Sequence, residues 1–346
     1  MTTHGYAALS AQAPLRPFAF DRRDVGPRDV LIDIRYCGIC HSDLHQARDE
    51  WGGATFPMVP GHEVVGVVAK VGKKVKRFRV GQAVGVGCFV DSCRKCRYCK
   101  QSEQQYCENH VSFTYNSTEQ DEVTPTFGGY SKQMVVDENY VLRIPPGIPL
   151  DRAAPLLCAG ITTYAPLKQW GVRKGTRLGV LGLGGLGHMA VKIGAALGAD
   201  VTVFSRTAEK KKDAKRLGAA RFLVTADVNA LASHKESFDT IIDTVSAKRA
   251  LDPYFELLKT DGTYILVGVP EHPLELKAMP LISRRRKLVG SLIGGIAQTQ
   301  EMLNFCARHK LAADVEVIAM SEVNAAYERL LKGDVRYRFV LDLATL

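Results

Sequence analysis

Residues 177–204 read RLGVLGLGGLGHMAVKIGAALGADVTVF, and most of the architecture follows from them. The stretch opens as a short apolar strand, Arg177 to Leu181, and passes through GLGGLG (182–187). It continues as an apolar helical run, HMAVKIGAAL (188–197), and closes on a second strand, DVTVF (200–204). Strand, turn, helix and strand in this order make a βαβ unit. Gly182, Gly184 and Gly187 fit G-x-G-x-x-G, with Gly185 and Leu186 completing the turn. The first glycine allows the tight turn, the second lets backbone approach a pyrophosphate, and the third lets helix pack closely on strand. The helix then turns the positive end of its dipole toward the phosphates. Any glycine-rich turn can match such a pattern; set between a strand and a helix, the match is specific for a dinucleotide.

The end of the second strand selects the dinucleotide. An NAD site places Asp or Glu there for the ribose hydroxyls. Here Ser205, Arg206 and Thr207 stand in that position, with Lys210 one turn on, and no carboxylate precedes Glu209. A guanidinium and hydroxyls suit a 2′-phosphate, so the reading is NADP(H). The alternative is that Arg206 is a solvated residue on an NAD enzyme.

Downstream, RFLV (221–224), FDTIIDTV (238–245), GTYILVG (262–268) and KLVGSL (287–292) read as strands with helical patterns between them. Such alternation predicts an α/β fold with a parallel, doubly wound sheet. A helix (302–310), a strand (315–319), a helix (323–331) and a strand (338–343) follow. This tail lies beyond the last strand of the α/β unit and is expected to join the strands of the chain's first part. That first part reads as short β segments between Pro and Gly turns, among them 63–71, 83–88 and 134–144, with a loop over 110–133. Short strands without long helices predict a compact, barrel-like domain. Pro145, Pro146 and Pro149 mark its end.

Two clusters offer metal ligands. Residues 93–107, CRKCRYCKQSEQQYC, place Cys93, Cys96, Cys99 and Cys107 at C-x2-C-x2-C-x7-C. Four thiolates can close a tetrahedral shell around one zinc, leaving no open position, so this ion would be structural. An iron–sulfur cluster is the rival; the run lacks the proline that follows the last cysteine in the bacterial ferredoxin run. The second cluster starts at YCGICHSDLH (36–45), returns at PGHEVVG (60–66) and gains Cys158 from LLCAGITTY. Cys40, His41, Asp43, His45, His62 and Glu63 crowd soft and borderline ligands at the end of a strand, which suits zinc. Cys40 taken alone would read as a packed core thiol.

The composition, 46% hydrophobic and 24% charged over 346 residues, is that of an ordinary globular protein of about two domains. No apolar run reaches the ~18 residues needed to span a bilayer. No secretory signal opens the chain. A cytoplasmic location follows as the default, and in a reducing compartment nine cysteines read as metal ligands and not as a disulfide frame. The net charge of +10 resides in runs such as KKVKRFR (73–79) and SRRRK (283–287). Aromatic interleaving is sparse and no nucleic-acid reader motif is present, so solvated surface and an anionic cofactor account for the excess better than nucleic acid does.

CGICHSDLH, GHE, the four-cysteine run, LLCAGIT, GLGGLG and a closing DVRYRFV occur in this order along the chain. The sequence therefore resembles the zinc-dependent medium-chain alcohol dehydrogenases, above all the NADP-dependent cinnamyl-alcohol-dehydrogenase type with its bacterial broad-range aldehyde reductases. The resemblance implies a GroES-like catalytic domain over 1–152 and 299–346 and a Rossmann domain over 153–298. It implies that Cys40, His62 and Cys158 hold a catalytic zinc, a ligand set already known for alcohol dehydrogenases. Glu63 would be the carboxylate able to approach the metal, and Asp43 would orient His62. Ser42 would touch the alcohol oxygen and pass its proton through the cofactor ribose to His45, since imidazole titrates near neutrality. His41 and Arg338 would face the pyrophosphate, Thr162 the nicotinamide, and Val267 and Ser291 further parts of the cofactor. Trp51 would wall the substrate pocket. The implied activity is reversible hydride transfer between NADP(H) and a small-molecule primary alcohol or aldehyde, in a homodimer paired through KLVGSLIGG (287–295). A polyol or formaldehyde dehydrogenase, or a non-catalytic NADPH- or nucleic-acid-binding protein on this scaffold, are the alternatives.

Overall fold

The structure, a computed structural model, describes residues 1–270 and 272–346. Contacts divide the chain into Met1–Ile161 with Gly294–Leu346, and Thr162–Ile293.

In the first unit β1 (Thr2–Ala7) pairs antiparallel with β2 (Arg16–Asp21). β3 (Asp29–Gly38) is the hub of the main sheet. It pairs with β4 (Val64–Val71), which pairs with β5 (Ala83–Val86). A separate two-stranded ladder joins β6 (Phe89–Ser92) to β7 (Val111–Phe113), the latter inside the segment 110–133 expected to be a plain loop. β8 (Gln133–Asp137) pairs with β3, and β9 (Leu142–Arg143) with β5. β1 alternates exposed and buried residues, the mark of a sheet with one wet face.

The second unit holds a six-stranded sheet. Its strands are β10 (Arg177–Leu181), β11 (Asp200–Ser205), β12 (Arg221–Val224), β13 (Phe238–Asp243), β14 (Leu258–Leu266) and β15 (Lys287–Gly290). Their order is β12-β11-β10-β13-β14-β15, every pair parallel. β10 and β13 are buried along nearly their whole length, because a doubly wound sheet is covered on both faces. Phe204, Phe238, Ile241, Phe255, Leu258 and Tyr264 form the core beside it. Phe204 and Phe238 meet edge to face at 5.2 Å, worth ~0.5–1.5 kcal/mol beyond the area they bury.

The chain then returns to the first unit. β16 (Val315–Ala319) lies parallel to β17 (Arg338–Asp342), and β17 pairs antiparallel with the end of β3. Five helices matter below: α1 (His41–Ala47), α2 (Ala159–Gln169), α3 (Gly185–Ala196), α4 (Ile296–Arg308) and α5 (Val323–Leu331). α3 begins at Gly185 instead of His188, because Gly184 already serves as its N-cap. α4 likewise starts at Ile296, before the expected Met302. The edge strand β15 stops at Gly290, short of the expected 292. α2 was not legible as a helix, for its sequence carries Gly160, two threonines and Pro166. Among the described residues no helix is long and apolar enough to cross a membrane.

Candidate metal and cofactor sites

The first site grows out of the end of β3. Gly38 has no side chain because the Glu63 carboxylate occupies that space: a Cβ there would lie 1.9 Å from Glu63 Oε2. The chain leaves the sheet with Ile39 N–H donating to Phe339 O at 2.9 Å. Cys40 caps α1, and its backbone N–H donates to Asp43 Oδ2 at 2.8 Å. Asp43 thus closes the first turn of the helix, and its other oxygen, Oδ1, accepts from His62 Nδ1 and from Gly61 N–H, each at 3.1 Å. With Nδ1 so engaged, His62 presents Nε2 to a metal. Gly61 holds φ +106°, which favours glycine, and a Cβ there would strike the Tyr130 ring at 2.6 Å.

Cys158 follows a 3₁₀ turn (Ala154–Leu157) and stands just before α2. The ligand atoms of Cys40, His62, Glu63 and Cys158 all lie within 4.8 Å of one another, and all four residues are buried. This donor set fits zinc: two soft thiols, one imidazole, and a carboxylate that can enter or leave. Glu63 Oε1 is bonded by Arg338 Nη2, while Oε2 is buried without a hydrogen-bond partner. The charges are tuned accordingly. Cys158, His62 and Arg338 pull the Cys40 thiol well below its ordinary range against the effect of burial. Cys158 moves the opposite way, raised by Cys40, Cys88 and burial. Burial, aided by the Cys40 thiolate and opposed by Arg338, pushes the Glu63 carboxyl up to about 7.

Ser42 lies on α1 with Oγ 3.7 Å from Cys40 Sγ. His45, one turn further, is 8% exposed. Its ring stacks on Trp51 at 5.1 Å, and its Nδ1 is paired with Glu50. Trp51 itself is 45% exposed. Glu50 escaped the sequence reading. It reaches His45 because Asp49, at φ +55°, turns the chain back so that Glu50 N–H donates to His45 O. Cys88, whose thiol raises that of Cys158, and Tyr115, stacked on His62 at 5.8 Å, were missed as well. A carboxylate a few residues past the histidine was the one available signal for Glu50; nothing local marked the other two. His41 is exposed, and Arg338 is buried against Glu63.

The second site is the cysteine lobe. Cys93 and Cys99 sulfurs lie 3.9 Å apart, Cys96 and Cys107 sulfurs 4.0 Å apart, and all four fall within 4.8 Å. Thiolates at ~2.3 Å from a single tetrahedral ion stand ~3.8 Å apart. The geometry therefore favours one zinc over a cluster that would interpose several irons. Against desolvation, backbone N–H groups of Lys95 and Cys96 pull Cys93 down to about 6, while burial pushes Cys99 up to about 12.

The third site lies at the carboxyl ends of the strands of the second unit, where open α/β sheets bind ligands. Gly182 takes φ +89°, and a Cβ on Gly187 would meet Gly182 O at 2.1 Å. Gly184, by contrast, has nothing but its own adjoining chain within 4 Å of where a Cβ would sit, leaving open space before the N-terminus of α3. Gly185 and Leu186 form the first turn of that helix. Ser205 ends β11; Arg206 and Thr207 follow it, both exposed. Lys210 Nζ bonds Leu183 O at 3.0 Å, tying the end of this turn to the glycine loop. Val267 and Ser291 follow β14 and β15. Thr162, on α2, buries a hydroxyl that has no hydrogen-bond partner. A dinucleotide phosphate fits this glycine cradle, and a further phosphate fits the exposed guanidinium and hydroxyls after β11.

Known proteins resemble the chain over its whole length. The alcohol dehydrogenase GroES-like domain matches residues 26–146, and the zinc-binding dehydrogenase family matches residues 185–308. The chain is 54% identical over 345 residues to NADP-dependent alcohol dehydrogenase C of Mycobacterium tuberculosis, covering 100% of this chain and 99% of the relative. A cinnamyl alcohol dehydrogenase structure from Sorghum bicolor superposes with a TM-score of 0.96 at 47% identity, covering 99% of this chain and 98% of that one. The cinnamyl alcohol dehydrogenase of Helicobacter pylori, solved with NADP(H), gives 0.93 at 45% identity and covers 99% of both chains.

Proposed function

Because the chain belongs to the zinc-dependent medium-chain alcohol dehydrogenases, of the cinnamyl-alcohol-dehydrogenase type, we propose that it interconverts primary alcohols and aldehydes, aliphatic and aromatic, at Cys40, His62 and Cys158. It is an NADP(H)-dependent oxidoreductase acting on CH–OH groups. The observation that carries the site is the set of four buried donor atoms within 4.8 Å at the mouth of β3.

When bound, zinc supplies a Lewis acid for the carbonyl oxygen and the dinucleotide supplies the hydride. The chain's own residues do the rest. Cys40, His62 and Cys158 hold the metal, and Asp43 fixes the His62 ring. Glu63, whose Oε2 is buried and lacks a partner, is the carboxylate able to approach the metal. Ser42 holds a proton at Oγ beside Cys40. His45, kept in place by Glu50 and Trp51, exchanges protons with solvent at the other end of the same helix. His41 serves the pyrophosphate, and Arg338 steadies Glu63. On the second unit Gly182–Gly187 cradle the pyrophosphate, Ser205, Arg206, Thr207 and Lys210 take the 2′-phosphate, and Thr162, Val267 and Ser291 complete the cofactor contacts. Cys93, Cys96, Cys99 and Cys107 hold a second, structural zinc. Six of the nine cysteines belong to the two metal sites and none is paired in a disulfide, and the setting proposed for such thiols is reducing and cytoplasmic. Among the described residues no strand pairs with the outer edge of β15, and with Leu288 and Leu292 exposed this supports a homodimer.

The test is metal content and turnover on one preparation. Two zinc ions per chain and NADPH-dependent reduction across a panel of primary aldehydes are expected. Cys40→Ser should keep one zinc and lose turnover. One zinc in the wild-type protein, at the lobe, with no turnover, would instead mark a non-catalytic scaffold.

A further inference from the structure

Asp43 carries more than the His62 ring. Its four hydrogen bonds come from Cys40 N–H, Gly61 N–H, His62 Nδ1 and, at 3.2 Å, the hydroxyl of Tyr130. Asp43 and Tyr130 are both 0% exposed, so each of these bonds is made away from water. Oδ1 faces the histidine segment; Oδ2 faces Cys40 and Tyr130. A carboxylate with both oxygens engaged cannot rotate about its Cβ–Cγ bond without breaking bonds on two sides.

Tyr130 also grips the His62 segment by other means. Residues 128–130 run alongside residues 59–61: Gly128 N–H donates to Val59 O at 2.7 Å, Gly129 N–H to Gly61 O at 2.8 Å, and Tyr130 N–H to Pro60 O at 3.0 Å. A Cβ on Gly61 would come within 2.6 Å of the Tyr130 ring, so no side chain fits between them. Backbone, ring and hydroxyl of one residue therefore hold Pro60, Gly61, immediately before the ligand, and Asp43, its orienting acid.

We propose that Tyr130 is a positioning residue for the catalytic zinc: its hydroxyl locks the Asp43 carboxylate, and through it the angle at which His62 presents Nε2. Tyr130 acts through Asp43 and not by contact with substrate or cofactor. The inference rests on the assignment of the metal to Cys40, His62 and Cys158. Outer partners of a metal ligand commonly contribute 10- to 100-fold in metal affinity. Tyr130 stands one bond further out, so an effect near the lower end of that range, about 10-fold, is expected.

The cysteine lobe supplies an internal control, since the same chain carries a second zinc that Tyr130 does not touch. The experiment uses the full-length holoenzyme and Tyr130→Phe, which keeps the ring and removes the hydroxyl. Zinc release into a chelator is followed for both ions, thermal unfolding is recorded, and the visible absorption of protein with cobalt at the catalytic position is compared. The proposal requires that Tyr130→Phe release the catalytic zinc about 10-fold faster than wild type, with lobe release unchanged and the cobalt bands displaced. Unchanged release of both ions, with unchanged bands, overturns it. Faster release of both ions together with a lowered Tm also overturns it, for that would be general loosening of the fold. A wild-type protein with zinc at the lobe alone would refute the metal assignment itself, a result separable from either of these.

Discussion

Ser42 is the second residue of α1, and its hydroxyl faces the Cys40 sulfur from within the same helical turn. Removing a positioned proton-transfer group costs roughly 10²-fold or more in rate. Ser42→Ala should lower kcat by about that factor, with zinc content and NADPH affinity little changed; undiminished turnover where chemistry is rate-limiting would refute its role. His45→Ala should be milder, because water can replace the outer member of a relay. Glu63 offers a different measurement. Its carboxyl is raised from 4.5 to about 7, so between these values the folded chain keeps a proton that the unfolded chain has lost. The unfolded state then binds fewer protons, and stability falls as pH rises through that window. Protein stripped of its catalytic zinc should therefore lose unfolding free energy from pH 4.5 to 7, and Glu63→Gln should flatten that slope. An unaltered slope in the variant would assign the titration to another group. At this scale the sequence was informative wherever residue type itself carried the chemistry, as for Cys40, His62 and Cys158. Glu50 was hidden, because its approach to His45 depends on the left-handed conformation of one residue, Asp49.

Elements decide the cofactor and the second metal. The turn after β11 presents Arg206 without a carboxylate partner among the described residues, and its position was legible because a strand, a glycine turn and a helix define a βαβ unit by pattern alone. Each charge-assisted hydrogen bond to a phosphate contributes roughly 1.5–3 kcal/mol, or about 10- to 100-fold. Arg206→Ala should raise KM for NADPH by about that much and leave KM for NADH nearly untouched. Ser205→Asp should shift the preference further, by repelling the phosphate and accepting from a free 2′-hydroxyl. An unchanged kcat/KM ratio for the two cofactors in both variants would place the phosphate elsewhere. In the lobe, Cys99→Ser should release the structural zinc and lower Tm, because such an ion contributes folding free energy. Equal Tm and zinc content would argue against a structural role. α2 shows the opposite case: glycine, threonines and an internal proline conceal a helix that tertiary packing enforces, with Gly160 letting Leu156 and the Met302 sulfur come close.

For the whole molecule, the edge strand β15 and the apolar side chains Leu288 and Leu292 give the dimer prediction. Leu288→Glu together with Leu292→Glu should yield monomers by sedimentation velocity, and an unshifted sedimentation coefficient would direct attention to another surface. The composition and order of motifs revealed two domains, but the seams were less legible, because Ile161/Thr162 falls inside a helix and Ile293/Gly294 follows no break in the hydrophobic pattern. One feature of the topology reaches into synthesis. β17, the strand that completes β3, spans residues 338–342, whereas the sheet of the second unit is finished by residue 290. On the ribosome, domains generally fold as their sequence emerges. The α/β unit can therefore close while the catalytic unit, begun first, still lacks the strand beside Gly38 and the arginine that meets Glu63. A nascent chain stalled so that residue 293 has just emerged should resist protease within 162–293 and be cut within 1–161. The metal centre is then the last part of the protein to mature, because Arg338, the partner of Glu63, is made after every residue of the α/β unit.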